Sequence, residues 1–367
     1  MTTFSELTTT RVGGAARLMV ETTDADSLVA AVRDAWESGE PWLVFGGGSN
    51  LLVADDGFDG TAVHVGNRGI QQIGSDDASV TLRVQAGEPW DALVAFSVEN
   101  GLAGIEALSG IPGASGAAPI QNIGAYGQEV ADTLEAIDYL DYLSGELTRI
   151  PASELELGYR MSAMKKGRQG VVVAIELRLG RGGLSEPIGY AQLASALSVS
   201  LGERRPVAEV REAVLRLRAS KGMVLSDADP DSVSTGSFFT NPIVGERFAA
   251  SLPATAPRWS LEPELPDRVV PLEQSALLDE ARPLATAADR QVKLSAAWLI
   301  ENSGIRRGFS LPGARAAISS KHTLALVNTG GATAAQVAEL ARFVQSRVLN
   351  EFGVLLQPEP VLVGLEL

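Results

Sequence analysis

Two glycine-rich stretches carry the clearest chemistry in this chain. Gly46-Gly-Gly-Ser-Asn50 follows the apolar run Pro41-Trp-Leu-Val-Phe45, which reads as a buried strand. Successive free amides at the end of such a strand form an anion-binding nest. The second stretch, Ile111-Pro-Gly-Ala-Ser-Gly-Ala-Ala-Pro-Ile-Gln-Asn-Ile-Gly-Ala-Tyr-Gly127, combines small side chains with a lack of charge. Such residues weaken helices and strands but let main-chain N–H groups approach phosphates or a flat ring. Two cradles of this kind imply a dinucleotide.

The remaining inventory narrows the chemistry. The chain has no cysteine and two histidines, His64 and His322. Disulfides, thiolate nucleophiles, Cys-ligated zinc and Cys-linked cofactors are therefore excluded, and no metal site is expected. Acid–base work falls to carboxylates, Lys, Tyr, Ser or Arg in tuned surroundings. A formal net charge of −15 argues against a nucleic-acid or anionic-membrane surface. An anionic small ligand still has local cations to meet: Lys165, Lys166 and Arg168; Arg216, Arg218 and Lys221; Arg306 and Arg307. The first residues have neither a basic start nor a hydrophobic signal core, and the apolar runs fall short of a membrane span. A cytoplasmic enzyme is expected, and no obligate protein partner is evident.

The elements that must position these loops follow from periodicity. Asp24 to Gly39 spaces Leu28, Ala31, Val32, Ala35 and Trp36 as a helix does, and Pro89 to Gly101 does the same through Trp90, Leu93, Val94 and Val98. Thr61–Val65, Val80–Val84, Thr133–Tyr142 and Gly170–Leu179 read as strands. A helix from Pro206 to Lys221 buries Val207, Val210, Val214 and Leu217 and leaves a basic face to solvent. The polar run Asp227–Ser237 reads as a junction between units. Pro253, Pro257, Pro263, Pro266, Pro271 and Pro283 then mark a long irregular segment expected to be mobile. Order resumes with helices at Ser295–Asn302 and Thr333–Phe352 and a strand at Leu324–Asn328. With 367 residues, two or three domains of α+β or α/β pattern are expected.

Five motifs in order resemble the MurB family of UDP-N-acetylenolpyruvoylglucosamine reductases, flavoenzymes of peptidoglycan precursor synthesis. They are Gly46-Gly-Gly-Ser-Asn50; Ile111-Pro-Gly113 leading to Pro119-Ile-Gln-Asn-Ile-Gly-Ala-Tyr-Gly127; Gly158-Tyr-Arg160; Gly236-Ser-Phe-Phe-Thr-Asn-Pro242; and Gln357-Pro-Glu-Pro360. Tyr190, within Ile188-Gly-Tyr-Ala-Gln-Leu193, resembles the subgroup in which a tyrosine loop closes over substrate. The implied fold is α+β: a two-subdomain FAD-binding unit of the PCMH or vanillyl-alcohol-oxidase type, residues 1–70 and 71–222, followed by an α+β substrate-binding domain, residues 223–367, whose last strand returns Glu359 to the active site. The implied cofactors are non-covalent FAD and NADPH as reductant, and the implied substrate is the enolpyruvyl ether of UDP-N-acetylglucosamine.

The resemblance also assigns residues. Arg160 would stabilise the charge that develops on the substrate carboxylate, with Glu359 as a protonated partner, and Ser237 would supply a proton. Gly46, Gly47, Gly48, Ser49 and Asn50 would hold the cofactor, together with Ile111, Pro112, Gly113, Ser115, Gly116, Asn122, Ile123 and Gly124. Tyr126, Tyr190, Lys221 and Asn241 would contact substrate. Taken singly, each has a blander reading: a tight turn for Gly46–Asn50, a surface-paired Arg160, a loop carboxylate at Glu359, a capping Ser237. His64 reads as a strand residue with a satisfied ring, and His322 as a loop residue. Rival functions are an oxidase built on the same FAD unit and a nucleotide-sugar sensor without turnover. The sensor has no use for Arg160, Ser237 and Glu359 together.

Overall fold

β-Branched residues concentrate in Gly170–Gly180, which pairs antiparallel with Leu134–Asp141 at the centre of a five-stranded sheet. The computed structural model describes residues 2–261 and 290–367. Leu147–Pro151 flanks the pair on one side, and Ser79–Gln85 followed by Ile70–Ser75 on the other. One face packs Leu82, Val84, Ile137 and Ile175 against Trp90, Leu93 and Val94 of the helix Trp90–Glu99. The opposite face sets Leu140, Val171 and Val173 against Leu28 and Val32 of the helix Ala25–Glu37. The run Val171-Val-Val-Ala-Ile175 is apolar without alternation because both of its sides are covered.

The N-terminal unit is a three-stranded parallel sheet ordered Ala16–Glu21, Phe58–His64, Trp42–Phe45. Asp24 caps the helix that follows its first strand, accepting from Ser27 N at 2.8 Å. Trp42–Phe45 ends at the first glycine loop, so the loop leaves from a fixed strand.

The C-terminal core forms around the helix Ala334–Phe352, which buries Val337, Leu340, Ala341, Val344 and Val348. A small sheet ordered Ser234–Ser237, Ala325–Asn328, Ala316–Ile318 and the helix Ala296–Asn302 contribute to the same core. Two devices tie this unit to the first. The carboxylate of Asp55 accepts from Ala334 N at 2.7 Å and Ala335 N at 2.9 Å, meeting the free amides and positive end of the long helix. The strand Val361–Val363 then adds in parallel to Leu51–Val53.

The α+β expectation and the expected helices and strands agree with this architecture, their ends shifted by a few residues. Two readings need correction. In the helix Val207–Ser220, Leu217 is only partly buried and Arg218 is 7% exposed, so the supposed wet basic face includes a buried cation. The polar run from Asp227 is no plain linker, since it holds the strand Ser234–Ser237. Of the proline-rich segment, Pro253 and Pro257 lie between the helix Glu246–Ser251 and the strand Arg258–Leu261. Pro263, Pro266, Pro271 and Pro283, with the expected mobility, lie outside the described residues. Among the described residues no helix is long and apolar enough to cross a membrane.

Candidate active site

The two glycine loops face each other at contact distance. A Cβ on Gly46 would stand 2.7 Å from Ala114 Cβ, and one on Gly47 would stand 2.8 Å from Gly113 Cα. Only glycine permits this approach. Ser49 Oγ donates to Pro112 O at 3.1 Å and fixes one loop on the other. Among the described residues, the amides of Gly46 to Asn50 find no protein acceptor, the state expected of a nest built for an anion. Beside them Ser115 is fully buried with its Oγ unpartnered. Arg218, which packs beneath Gly110 at the start of the second loop, has an unpartnered buried Nε. Buried polar groups without partners are rare, and Ser115, next to the Ala114 that faces Gly46, sits where a dinucleotide would supply a partner. The residues therefore fit FAD.

Asn122, buried in the second loop, adopts φ +46°. Its side chain donates to Glu129 at 2.8 Å and to Gly158 O at 3.1 Å, and accepts from Ala131 N at 3.0 Å. Its side chain thus serves the protein, holding the turn that carries Arg160. Gly158 and Met161 exchange reciprocal backbone bonds of 3.1 Å, closing a tight turn in which Arg160 takes φ +53°. A left-handed conformation at a non-glycine residue costs on the order of 1 kcal/mol or more. It aims the guanidinium back at the loop, where Nη2 donates to Gly124 O at 2.8 Å and Nη1 to Asn122 O at 3.3 Å. The third nitrogen, Nε, lies 3.3 Å from Glu359 Oε1.

Glu359 arrives from the far end of the chain. The segments Phe238–Thr240 and Gln357–Glu359 pair antiparallel, with Glu359 N donating to Phe238 O at 2.8 Å and Thr240 N to Gln357 O at 3.1 Å. Ser237 precedes Phe238 directly, so three distant motifs converge. Burial pushes the Glu359 carboxyl up from its ordinary range, against the opposing pull of Arg160 and Lys165. That balance favours the neutral form of the acid more than an exposed carboxyl would.

Beside Arg160 opens a cavity of about 630 Å³ lined by Tyr159, Lys165, Asn241, Phe248 and Pro358 among others. Asn241 accepts from Ala296 N at 3.0 Å, and Tyr159 shares the cavity wall with it. Tyr126, Tyr190 and Lys221 form a second group. The two rings meet edge-on at 5.6 Å between centroids, and Lys221 Nζ lies 5.6 Å from the Tyr126 ring. Burial, reinforced by Arg218, pushes the Lys221 amine down. The substrate-contact candidates are thus split between the cavity and the tyrosine pair.

Several residues here escape the sequence reading. Lys293 Nζ lies 4.6 Å from the Tyr159 ring, but its strand Gln291–Leu294 carries no motif. Gln121 lies inside a motif yet looks like filler there. His322 is the loop residue expected, with Nδ1 accepting from Leu324 N at 3.2 Å. Burial first, then the cations Lys221, Arg307 and Arg218, hold its pKa down to about 4. His64 ends its strand as expected, its ring 2.5 Å from Glu21 and stacked on Phe45. Among the described residues no group of His, Asp and Glu is arranged to hold a metal ion.

Comparison with known proteins agrees with this geometry. Residues 16–151 match the family model described as FAD binding domain, and residues 229–363 match that described as UDP-N-acetylenolpyruvoylglucosamine reductase, C-terminal domain. Fold and site therefore define an FAD-binding oxidoreductase with an added substrate-side domain. The chain is 58% identical to the UDP-N-acetylenolpyruvoylglucosamine reductase of Leifsonia xyli over 99% of its length and 98% of that protein. It is 49% identical to that of Saccharopolyspora erythraea over 97% of its length and 93% of the relative. The crystal structure of the Thermus caldophilus enzyme superposes with a TM-score of 0.62 at 26% identity, covering 99% of this chain and 97% of that one. The chain belongs to the UDP-N-acetylenolpyruvoylglucosamine reductase (MurB) family.

Proposed function

We propose that this chain reduces the enolpyruvyl ether of UDP-N-acetylglucosamine to UDP-N-acetylmuramate, with NADPH as the electron source, in the cytoplasm. The two glycine loops would hold FAD, which when bound would supply the hydride needed at the outer carbon of the double bond. The protein must then stabilise the negative charge that collects toward the substrate carboxylate and deliver one proton to the carbon bearing the ether oxygen. Arg160 suits the first task. Its turn and its two bonds to loop carbonyls preorganise the guanidinium, so little reorganisation accompanies charge development. Glu359, whose pKa burial raises, donates a hydrogen bond to the same carboxylate in its protonated form without adding negative charge. Ser237 gives the proton, a role open to a weak acid because the carbon is strongly basic.

The observation that carries this reading is the convergence of Arg160, Glu359 and the Ser237 strand end on one junction beside the glycine loops. Lys221, with Tyr126 and Tyr190, suits the nucleotide portion as a point charge beside two aromatic faces. The division into residues 1–70, 71–222 and 223–367 is supported by a core whose buried residues lie within the first unit and one whose buried residues lie within the second, although Leu28 and Val32 also share a core with Leu140, Val171 and Val173, and Val12 and Leu52 pack into the C-terminal one. An anaerobic two-step titration tests the function. NADPH should bleach the flavin of the purified protein, and the enolpyruvyl nucleotide should restore its colour. Bleaching without recovery would favour an oxidase, and a protein that cannot bind flavin would defeat both readings.

A further inference from the structure

The side chain of Asn50, at the end of the first glycine loop, does not simply line that loop. Its Nδ2 lies 3.0 Å from Gln121 Oε1 in the second loop and 3.2 Å from the main-chain oxygen of Glu359. Its own carbonyl accepts from Val361 N at 2.9 Å. With Glu359 N held by Phe238 O at 2.8 Å, both polar backbone atoms of Glu359 are bound, one by the Ser237 motif and the other by Asn50. We propose that Asn50 is a positioning residue for the acid: its amide joins both cofactor loops to the Glu359 peptide and thereby sets the carboxyl opposite Arg160. This inference rests on the role given to Glu359 above.

The choice of side chain follows from the two acceptors. Two oxygens must be met by one short group, which needs two N–H donors on a single nitrogen. Lysine offers such donors with a positive charge, and a cation beside Glu359 would pull the proton off the acid. Aspartate has the shape without the donors. A neutral amide alone satisfies both carbonyls and adds no charge beside the acid.

Flavin-loaded, full-length wild type, Asn50→Ala and Asn50→Asp are to be compared by stopped flow, following flavin reduction by NADPH and reoxidation by the enolpyruvyl nucleotide separately. Asn50→Asp is isosteric and guards against a folding defect. Both variants should keep stoichiometric FAD, while the ratio of reoxidation to reduction rates falls on the order of a hundredfold, the scale of a misplacement of about 1 Å. In Asn50→Ala the limb of the reoxidation pH profile that reports Glu359, which faces Arg160 and Lys165, should move to lower pH as the loosened carboxyl meets water. Loss of FAD, or equal slowing of both steps, would make Asn50 a cofactor-holding residue and overturn the proposal, as would an unchanged rate ratio. Failure of the wild type to reoxidise would instead overturn the functional reading, and this inference with it.

Discussion

Arg160 Nε stands 3.3 Å from Glu359 Oε1, and burial raises the carboxyl's pKa despite the guanidinium beside it. The other two Arg160 nitrogens are bonded to Asn122 O and Gly124 O. The cation is thus fixed in direction by neutral carbonyls and remains available to a carboxylate from outside. A lysine in its place would keep the charge and lose the fork. Arg160→Lys should slow reoxidation of reduced flavin by substrate on the order of a hundredfold, the typical cost of one oxyanion donor. Stopped-flow absorbance checks this, and a wild-type rate would remove Arg160 from charge stabilisation.

Glu359 also makes a stability prediction. Its folded pKa lies above the unfolded value, so between the two the native state binds more protons and stability falls as pH rises. Below the unfolded pKa both states are protonated and the effect vanishes. Glu359→Gln should therefore raise the melting temperature at neutral pH while abolishing efficient turnover, and the gain should shrink toward acid pH. A variant less stable than wild type at neutral pH would show the acid to be ionised and paired.

His322 acts with the opposite sign. Its folded pKa of about 4 lies below the ordinary imidazole value of 6.5, so in that window the unfolded state binds more protons and stability drops as pH falls. His322→Gln should flatten the acid limb of a melting-temperature profile between these values. The same geometry predicts that an anionic ligand among Lys221, Arg218 and Arg307 raises the imidazole pKa, which NMR titration with and without nucleotide would reveal.

Gly48 is the backbone counterpart. It adopts φ +58°, and a Cβ there would stand 2.2 Å from Leu7 O. Gly48→Ala should cost roughly 2 kcal/mol or more, combining left-handed strain with displacement of the N-terminal segment. Reduced flavin retention at equal protein concentration is the expected accompaniment. Chemical denaturation measures the first effect and bound absorbance the second.

How much of this was legible in the sequence depends on the range of the interactions involved. Periodicity located the helices Ala25–Glu37 and Ala334–Phe352 because each buries one continuous face. The glycine loops were legible because close backbone approach excludes a Cβ. The meeting of Gln357–Glu359 with Phe238–Thr240 has no local signature, since it depends on a strand added to Leu51–Val53 from the chain's far end. Arg218 was misplaced for a related reason: helical spacing separates faces, but only tertiary packing decides that a cation on the edge of a face is buried. The double donation by Asn50 was invisible because each of its acceptors belongs to another motif.

The central claim is that Arg160, Glu359 and Ser237 act after the flavin has been reduced. Ser237→Ala removes the hydroxyl at the end of a strand whose position is fixed by backbone pairing, so cofactor and reductant should be handled much as before. In an anaerobic stopped-flow experiment, reduction by NADPH should stay within about threefold of wild type, while reoxidation by the enolpyruvyl nucleotide slows by at least two orders of magnitude, the general-acid contribution. Equal slowing of the two phases, or a reoxidation rate matching wild type, would contradict the account.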